Sequence, residues 1–397
     1  MTIPVQRPCL GDEELAAVRQ VFESRWLGMG AFTQTFEERL KSFLGVRHVV
    51  AVNSGTSALH IALRTLDLRA GDEVLVPTLT FVGTTQAVLM AGARPVFCDV
   101  EESTFNLDVE DAARRITPRA KVVLPVHYGG TACRMDEIGR LAARENLRVV
   151  EDAAHAFGSS YQGRKIGTLS DITCFSFDPI KNITCGEGGA VVTNDPELAR
   201  RAVSQRMLGI SKDAWSRQDA SSSWSYDVVG AGYRYHLSNI NAAIGTEQLK
   251  RFDVFKQRKQ EIAQRYDDAF ADVEGLTLRR WHPQETCPFF YVVRVLGGHR
   301  DDLMVHLKDR GIVTGVHYIP NHLHSAFAEF RVALPVAERL GAEILTLPLF
   351  YEMTDHEVAV VISAVREFFG VSRTIVALER RKDASREPDR APAREGM

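Results

Sequence analysis

The sequence predicts an α/β fold in which a large domain with a mostly parallel central sheet precedes a small α+β domain. Between residues 47 and 155, short apolar runs typical of strands alternate with amphipathic runs typical of helices. Strands and helices that alternate at this spacing form parallel βαβ units with right-handed crossovers. Beyond residue 245 the patterns are fewer and mixed, which indicates a second unit. We therefore predict a large domain over residues 1–245 and a small domain over residues 246–372.

The chain is predicted to begin with a short arm and an amphipathic helix. In the stretch DEELAAVRQVFESRW, the side chains of Leu15, Val18 and Phe22 fall on one helical face. Acidic residues occupy the first turn, where the helix dipole favours negative charge.

The elements of the large domain follow in order. Strands are predicted at HVVAVNSG, DEVLVPT, RPVFCDV, AKVVLPVHYGG and LRVVEDAA, and helices at TSALHIALRTL, FVGTTQAVLMAG, DVEDAARRI and MDEIGRLAAREN. DITCFSF and GAVVTND predict two short strands around a loop. The stretch 237–270 predicts one long helix that leads into the second domain.

The small domain is predicted from a few strand and helix patterns. PFFYVVRVL and GIVTGVHYI are typical of strands, RDDLMVHLKD is typical of a helix, and Thr354 and Glu357 have the spacing of a capping box. The final stretch, RRKDASREPDRAPAREGM, is charged and lacks large apolar residues, so a disordered tail is expected over residues 373–397.

Composition excludes several classes of protein. The chain has 397 residues and a net charge of -3, which gives no general attraction for nucleic acid or acidic lipid. Six cysteines are scattered without a CxxC pair, so neither a metal site nor a disulfide framework is indicated. No leader peptide or membrane-spanning run is visible. We expect a cytoplasmic protein with a small-molecule partner and no nucleic-acid or membrane partner.

A first candidate site is the junction of a strand and a helix in AVNSGTSALHIAL. The free N–H groups of a helix N-terminus, with the hydroxyls of Thr56 and Ser57 beside them, can form a phosphate cup. A helix cap without a ligand is the alternative.

A second candidate follows the strand in VVEDAAHAFG. Asp152 comes at the carboxyl end of that strand, where α/β sheets bind ligands, and it could hold a protonated ring nitrogen. It could equally be another N-cap. His155 lies three residues further on, and a lone histidine is more often a packing residue than a catalyst.

A third candidate is Lys181 in FSFDPIKNITCGEGG. This lysine could cap carbonyl groups, bind phosphate or form a Schiff base. The P-loop order is not met, because the lysine precedes the glycines and a strand follows them. Taken together, a phosphate cup, an aspartate after a strand and a lysine after Ser176 match the phosphate, ring nitrogen and aldehyde of pyridoxal phosphate. Phe81 could stack on the ring.

These motifs resemble the DegT/DnrJ/EryC1/StrS family of fold-type I pyridoxal-phosphate aminotransferases. The resemblance extends from WLGMGAFTQTFEERL to LPLFYEMTDHEV and is most specific in FSFDPIKNITCGEGG, SGTSALHIAL, EDAAHAFG and GVHYIPNHLHSAF. It implies a central sheet sandwiched by helices, and a homodimer whose active sites are shared between subunits.

The resemblance also implies roles for individual residues. Lys181 would hold the cofactor as a Schiff base and act as acid and base, while Asp152 would keep the ring nitrogen protonated. The expected cofactor contacts are Thr56, Ser57, Phe81, Asp152, His155, Ser176, Lys181 and Arg234. Trp26, His317 and Tyr318 are the expected substrate contacts, and Arg25 and His322 are further candidates near the entrance.

The implied reaction moves an amino group from L-glutamate to a nucleotide-linked keto-sugar, with a 4-keto-6-deoxy sugar preferred. A 3-keto-sugar, an aminocyclitol or aminohydroxybenzoate acceptor, or a non-catalytic binding protein are the alternatives. Lysine rather than histidine at position 181 favours transamination over sugar deoxygenation. The chain departs from the family pattern at Asp178, Arg234 and His236, so the roles of these residues stay open.

Overall fold

The computed structural model describes residues 2–210 and 226–371. The predicted tail over 373–397 lies outside the described residues. The helices are α1 (Asp12–Glu23), α2 (Ala31–Leu44), α3 (Gly55–Arg64), α4 (Val82–Met90), α5 (Val109–Arg114), α6 (Met135–Glu145), α7 (Pro196–Arg206), α8 (Asn239–Lys250), α9 (Phe252–Phe270), α10 (Arg300–Asp309), α11 (Pro335–Glu343) and α12 (Asp355–Phe368). The strands are β1 (His48–Val52), β2 (Glu73–Pro77), β3 (Arg94–Cys98), β4 (Ala120–Val123), β5 (Arg148–Asp152), β6 (Ser160–Tyr161), β7 (Arg164–Lys165), β8 (Ile172–Ser176), β9 (Gly189–Thr193), β10 (Leu276–Leu278), β11 (Tyr291–Val295) and β12 (Ile344–Leu347).

The central sheet has seven strands in the order β1-β9-β8-β5-β4-β2-β3. Strand β9 is antiparallel to both of its neighbours, and the other pairings are parallel. The predicted α/β class with a mostly parallel sheet is therefore confirmed. The loop between β8 and β9, which holds Lys181, reverses the chain within this sheet.

Helices cover both faces of the central sheet. Val50 and Val52 of β1 pack in one apolar core with residues of α3, whereas Val49 and Ala51 pack in another with residues of α2. This alternation follows from the pleat of a strand, which directs successive side chains to opposite faces. The predicted sandwich of helices around a sheet is confirmed.

The first helix is confirmed, and its buried face is formed by residues other than Leu15, Val18 and Phe22. Glu14, Ala17 and Val21 are the buried residues of α1, whereas Leu15 is 68% exposed and Phe22 is 58% exposed. Helix α1 packs through Ala17 and Val21 against Ala243 of α8. The small residues therefore form the contact, and the larger apolar side chains remain on the surface.

The long helix predicted over 237–270 is two helices. Helix α8 ends at Lys250 and α9 begins at Phe252, with Arg251 between them. The amphipathic pattern continues through the junction, so the break is not visible in the sequence.

The C-terminal part of the chain contains a three-stranded sheet in the order β10-β11-β12. The prediction of a strand in GIVTGVHYI is wrong, since that stretch makes only isolated bridges at Ile312 and Gly315. The strand β12 was not predicted. The capping box of α12 is confirmed, with Thr354 Oγ1 accepting from the N–H of Glu357 at 3.1 Å and Glu357 Oε2 accepting from the N–H of Thr354 at 2.8 Å. The division of the chain at residue 245 stays a prediction.

Within residues 2–210 and 226–371, none of the helices combines the length and the apolar character that a membrane crossing needs.

Candidate active site

A cavity of about 260 Å³ lies at the carboxyl ends of strands β1, β2, β5 and β8. This edge of a parallel sheet is where α/β proteins bind ligands. The residues that line the cavity are Ser54, Gly55, Thr56, Leu59, Thr80, Phe81, Gly83, Thr84, Asp152, Ala154, His155, Ser176, Asp178, Ile180, Lys181, Glu187, Phe289, His317 and Tyr318.

The first wall of the cavity is the N-terminus of α3. Ser54 caps this helix by accepting from the N–H of Ser57 at 3.0 Å, while the first-turn N–H groups of Gly55 and Thr56 have no acceptor within the helix. Thr56 and Ser176 line the cavity. The N–H groups of Gly55 and Thr56, together with the hydroxyls of Thr56 and Ser176, suit an anion such as phosphate.

Two glycines make this wall possible. A Cβ on Gly55 would lie 2.7 Å from Cβ of Ser176, and a Cβ on Gly83 would lie 2.8 Å from Oγ1 of Thr56. Both distances are shorter than real Cβ contacts, so any side chain would displace a hydroxyl of the wall.

Ser57, which was predicted to bind the cofactor, is not among the residues that line the cavity. Its hydroxyl donates to Oδ1 of Asn53 at 2.7 Å and lies 2.8 Å from Oγ of Ser54. Ser57 is therefore placed one layer behind Thr56, where it supports the cap.

The second wall is the carboxylate of Asp152, at the end of β5. It is 4% exposed, and it accepts from Thr84 Oγ1 at 2.7 Å and from the N–H of Ala154 at 3.0 Å. Burial raises the pKa of Asp152, while the hydrogen bond from Thr84 and then that from Ala154 oppose this by favouring the charged form. Both carboxylate oxygens keep a lone pair for a cationic ligand group.

The third wall is Lys181, in the loop between β8 and β9. The N–H of Lys181 donates to the carbonyl of Asp178 at 3.1 Å, and Nζ lies 4.2 Å from the centroid of the Phe289 ring. Burial lowers the pKa of Lys181 to about 8, although the carboxylates of Asp178 and Asp152 act in the opposite direction. The amine is therefore more often uncharged at neutral pH than an ordinary lysine, as a nucleophile requires.

Aromatic side chains form the remaining walls. His155 stacks on Phe289, with ring centroids 4.5 Å apart, and its Nε2 lies 3.0 Å from the hydroxyl of Tyr318. Phe81, at the start of α4, lies 5.9 Å from the ring of Tyr318. Flat side chains on several sides suit a flat heterocycle.

Both histidines of the cavity are neutral at physiological pH. Burial holds the pKa of His155 well below its ordinary value, and the charge of Lys181 contributes in the same direction. Burial, with a smaller effect of Lys181, lowers the pKa of His317 to about 4. The Nδ1 atom of His155 is buried and has no hydrogen-bond partner among the described residues, so it is available to a bound ligand.

Three residues that were predicted to lie at or near the site do not line this cavity. Trp26 is exposed in the turn after α1, and Arg234 is exposed on a segment that pairs with Met207. His322 is completely buried, lies 2.7 Å from Thr78 Oγ1 and 3.2 Å from Glu338, and is not an entrance residue. The suggestion that His322 lies near the entrance is therefore wrong.

Sequence reasoning missed Thr84, Phe289 and Glu187. Thr84 follows the predicted stacking residue Phe81 by three positions, so its place in the first turn of a helix at the sheet edge was a usable signal. Phe289 gave no such signal, because only tertiary contacts bring it to the cavity, whereas Glu187 stands in the same loop as Lys181 and could have been considered with it.

The residues present fit pyridoxal phosphate. A hydroxyl and N–H wall whose glycines leave no room for a Cβ, a buried carboxylate with spare lone pairs and an amine with a lowered pKa face one cavity. Each matches one handle of the cofactor.

Comparisons with known proteins agree with this geometry. The family model of the DegT/DnrJ/EryC1/StrS aminotransferase family matches residues 8–366. The chain is similar to the spore coat polysaccharide biosynthesis protein SpsC of Bacillus subtilis (strain 168), with 40% identity over 382 residues that cover 92% of this chain and 96% of that protein.

Two solved structures are also similar over most of the chain. The aminotransferase TlmJ from Streptoalloteichus hindustanus is 39% identical, with a TM-score of 0.86 and coverage of 92% of this chain and 98% of that one. The PLP form of the putative sugar aminotransferase Spr1654 from Streptococcus pneumoniae is 29% identical, with a TM-score of 0.86 and coverage of 94% and 98%.

Proposed function

We propose a specific reaction for this chain, which belongs to the DegT/DnrJ/EryC1/StrS aminotransferase family and is a pyridoxal-phosphate-dependent aminotransferase. It moves the amino group of L-glutamate to a nucleotide-linked keto-sugar, with a 4-keto-6-deoxy sugar as the preferred acceptor. The observation that carries this proposal is that Lys181, Asp152 and the Thr56 wall line one cavity at the sheet edge.

Asp152 would hold the proton on the ring nitrogen of the cofactor. Pyridoxal phosphate, when bound, supplies a ring that withdraws electrons and stabilises negative charge on a carbon attached through its aldehyde position. That capacity depends on a protonated ring nitrogen, and a buried carboxylate is the group that favours it. The hydrogen bonds from Thr84 and Ala154 favour the ionised form of Asp152 against the effect of burial and hold the carboxylate in one orientation.

Lys181 would bind the aldehyde carbon of the cofactor covalently and would carry protons during the reaction. Its amine is poised between charged and uncharged forms, because burial brings its pKa to about 8. A base with a pKa near the working pH is best suited to take a proton from the donor carbon and return one. Phe289 restricts the amine from one side.

Thr56, Ser176 and the free N–H groups of α3 would bind the phosphate. Phe81 and His155 would flank the ring, and the Nδ1 atom of His155 offers a further polar contact. His317 and Tyr318 would contact the acceptor, since both line the cavity and come from the C-terminal part of the chain.

The charge of the cavity supports a contribution from a second subunit. Among the described residues that line the cavity, three are carboxylates and Lys181 is the only Lys or Arg. The cofactor, L-glutamate and a sugar nucleotide all carry negative charge, so further cations must come from outside this set. Arg234 is suited to supply one.

The segment of Arg234 directs this side chain outward beside the phosphate wall. His236 pairs with Val52 at the end of β1, and the N–H of Asn53 donates to the carbonyl of Tyr235 at 2.7 Å. Tyr233 and Tyr235 pack on His60, with ring centroids 4.5 Å and 5.9 Å away. Since neighbouring residues of an extended segment face opposite sides, Arg234 points away from this core.

Exposed apolar side chains on α1 and the turn after it support a homodimer. Leu15, Phe22, Trp26 and Leu27 are all at least 44% exposed. Apolar surface of this kind marks protein interfaces. In the proposed dimer, Arg234 and Trp26 reach the cavity of the other subunit.

The reaction is tested by incubating the protein with pyridoxal phosphate, L-glutamate and a panel of nucleotide-linked 4-keto- and 3-keto-sugars, with product detection by mass spectrometry. We expect an amino sugar from the 4-keto acceptor and none with Lys181→Ala. Amination of the 3-keto acceptor alone would overturn the choice of carbon, and no amination of any keto-sugar would overturn the substrate class.

The shared site is tested by mixing two inactive variants. If Arg234 acts in the other subunit, each mixed dimer of Lys181→Ala and Arg234→Ala contains one intact site of two. Random exchange of subunits makes about half of the dimers mixed, so the mixture regains about a quarter of wild-type activity. Lys181→Ala mixed with Asp152→Asn is the control, since both residues line the cavity of one chain. No recovery in the first mixture would place Arg234 outside the shared site.

A further inference from the structure

A second lysine, Lys259, is buried behind the loop that holds Lys181. It lies in the middle of α9, is 6% exposed, and its Nζ donates to Oδ1 of Asn182 at 2.7 Å. In residues 2–210 and 226–371 it has no carboxylate within ion-pair distance. A buried ammonium without a counter-ion is costly, so an ordinary structural role would be better filled by an apolar residue.

The partner of Lys259 directly follows Lys181 in the chain. The side chain of Asn182 also donates to the carbonyls of Phe157 at 3.2 Å and Cys287 at 3.4 Å. Its amide is therefore bonded on both sides, and Lys259 supplies the hydrogen bond to the oxygen. The backbone from which Lys181 projects is fixed through this amide.

Lys181 and Lys259 also line a second cavity. This space of about 30 Å³ is bounded further by Gln6, Thr184 and Tyr351, and it is large enough for a water molecule. The charge of Lys181 makes the charged form of Lys259 less favourable, and because a pairwise interaction of charges is mutual, a charged Lys259 does the same to Lys181.

The groups around the two amines shift the pKa values of Lys181 and Lys259 in different directions. Burial lowers the pKa of Lys259 to about 8, the thiol of Cys287 opposes this, and the charge of Lys181 adds to it. Lys181 in turn faces the carboxylates of Asp178 and Asp152, which favour its charged form. Arg7, which also lines the second cavity, is paired with Glu352 at 3.0 Å.

We propose that Lys259 is a positioning residue for Lys181, which fixes the lysine loop through Asn182 and keeps the amine of Lys181 in its uncharged, reactive form. This inference rests on the proposed role of Lys181 in holding the cofactor. It adds a group that touches neither cofactor nor substrate and acts through its neighbours.

The test measures the reactivity of Lys181 in the cofactor-free protein. An amine-reactive reagent is applied across neutral and alkaline pH, and labelling of the Lys181 peptide is quantified by mass spectrometry. In Lys259→Met, the midpoint of labelling is expected to rise by about one unit, which is roughly a tenfold loss of labelling at neutral pH.

Matched variants separate the effect of Lys259 on the labelling midpoint of Lys181 from a general disturbance of the fold. Lys256→Met removes a lysine one turn earlier on α9, whose Nζ donates to the carbonyl of Gly158 at 3.1 Å, and should leave the midpoint unchanged. Lys259→Arg stays charged throughout the titration, so its midpoint should lie at or below that of the wild type. Lys259→Gln keeps a donor for Asn182 without the charge and should raise the midpoint, which provides a second reading if the methionine variant does not fold.

The proposal is overturned if Lys259→Met or Lys259→Gln labels at the midpoint of the wild type. Labelling needs neither cofactor nor substrate, so this failure is distinct from a failure of the proposed reaction. A wild-type protein that aminates no keto-sugar would refute the proposed function and leave the labelling profile intact.

Discussion

Thr84→Val tests whether the carboxylate of Asp152 depends on the hydroxyl that the structure places beside it. The substitution keeps the shape of the side chain and removes the 2.7 Å hydrogen bond to Asp152 Oδ2. A hydrogen bond to a charged group contributes about 1.5–3 kcal/mol, and one pKa unit corresponds to about 1.4 kcal/mol. The pKa of Asp152, which burial already raises, should therefore rise by about one to two units more.

The assay is cofactor affinity as a function of pH, measured by equilibrium dialysis. Asp152 pairs with the protonated ring nitrogen only when it is ionised, so affinity falls as the pH drops through the pKa of this group. A higher pKa in Thr84→Val moves this acid limb to higher pH by about one to two units. Lys181, whose pKa is about 8, also loses reactivity as the pH falls, but it does so equally in the wild type and the variants, so the difference between their curves reports on Asp152.

The neighbouring residue provides the control. Thr85 is completely buried, and its hydroxyl has no hydrogen-bond partner among the described residues. Thr85→Val removes an equivalent group from the same helix without touching Asp152, so its acid limb should match that of the wild type. If the curves of Thr84→Val and Thr85→Val coincide, the assignment of Asp152 as the ring-nitrogen partner held by Thr84 is refuted.

Two other predictions concern the phosphate wall and the lysine. In Gly83→Ala the new Cβ would lie 2.8 Å from Thr56 Oγ1. Overpacking of this kind costs about 1–3 kcal/mol. Equilibrium dialysis should therefore show a cofactor affinity that is lower by roughly five- to a hundredfold. Gly139→Ala, whose Cβ would meet nothing within 4 Å, should bind as the wild type does. Because burial lowers the pKa of Lys181 to about 8, the amount of cofactor fixed to Lys181 by borohydride should rise with pH through neutrality and level off above about 8; a midpoint near the ordinary lysine value of about 10.4 would contradict this.

Local patterns in the sequence were sufficient for most of the large domain. The strands β1 to β5 and the helices between them have short apolar runs and clear turns, so their type and order were predictable. Lys181, Asp152, Thr56 and Ser176 could be placed at one cavity because each lies at or just beyond the carboxyl end of a strand, and these ends meet at one edge of a mostly parallel sheet.

The remaining differences arise from contacts between distant parts of the chain. The side of α1 that is buried is set by the small side chains of Ala17 and Ala243, which meet only in the folded protein. The strand β12 forms because β11 offers it a free edge, and its own sequence gave no sign of that. Phe289 reaches the cavity from 108 positions beyond Lys181, a separation that no periodicity spans.

His155 contacts two residues from the C-terminal third of the chain, Phe289 and Tyr318. The colour of the bound cofactor can therefore be used to monitor whether this part of the chain has folded. Phe289 and Tyr318 form walls of the cavity, so a nascent chain that ends before them lacks part of the space that a coloured cofactor would fill. Visible colour in a culture or on a column would then report that Phe289 and Tyr318 have been synthesised and have packed against His155. A library of randomised C-terminal segments could be sorted by eye for folding, without the addition of a substrate.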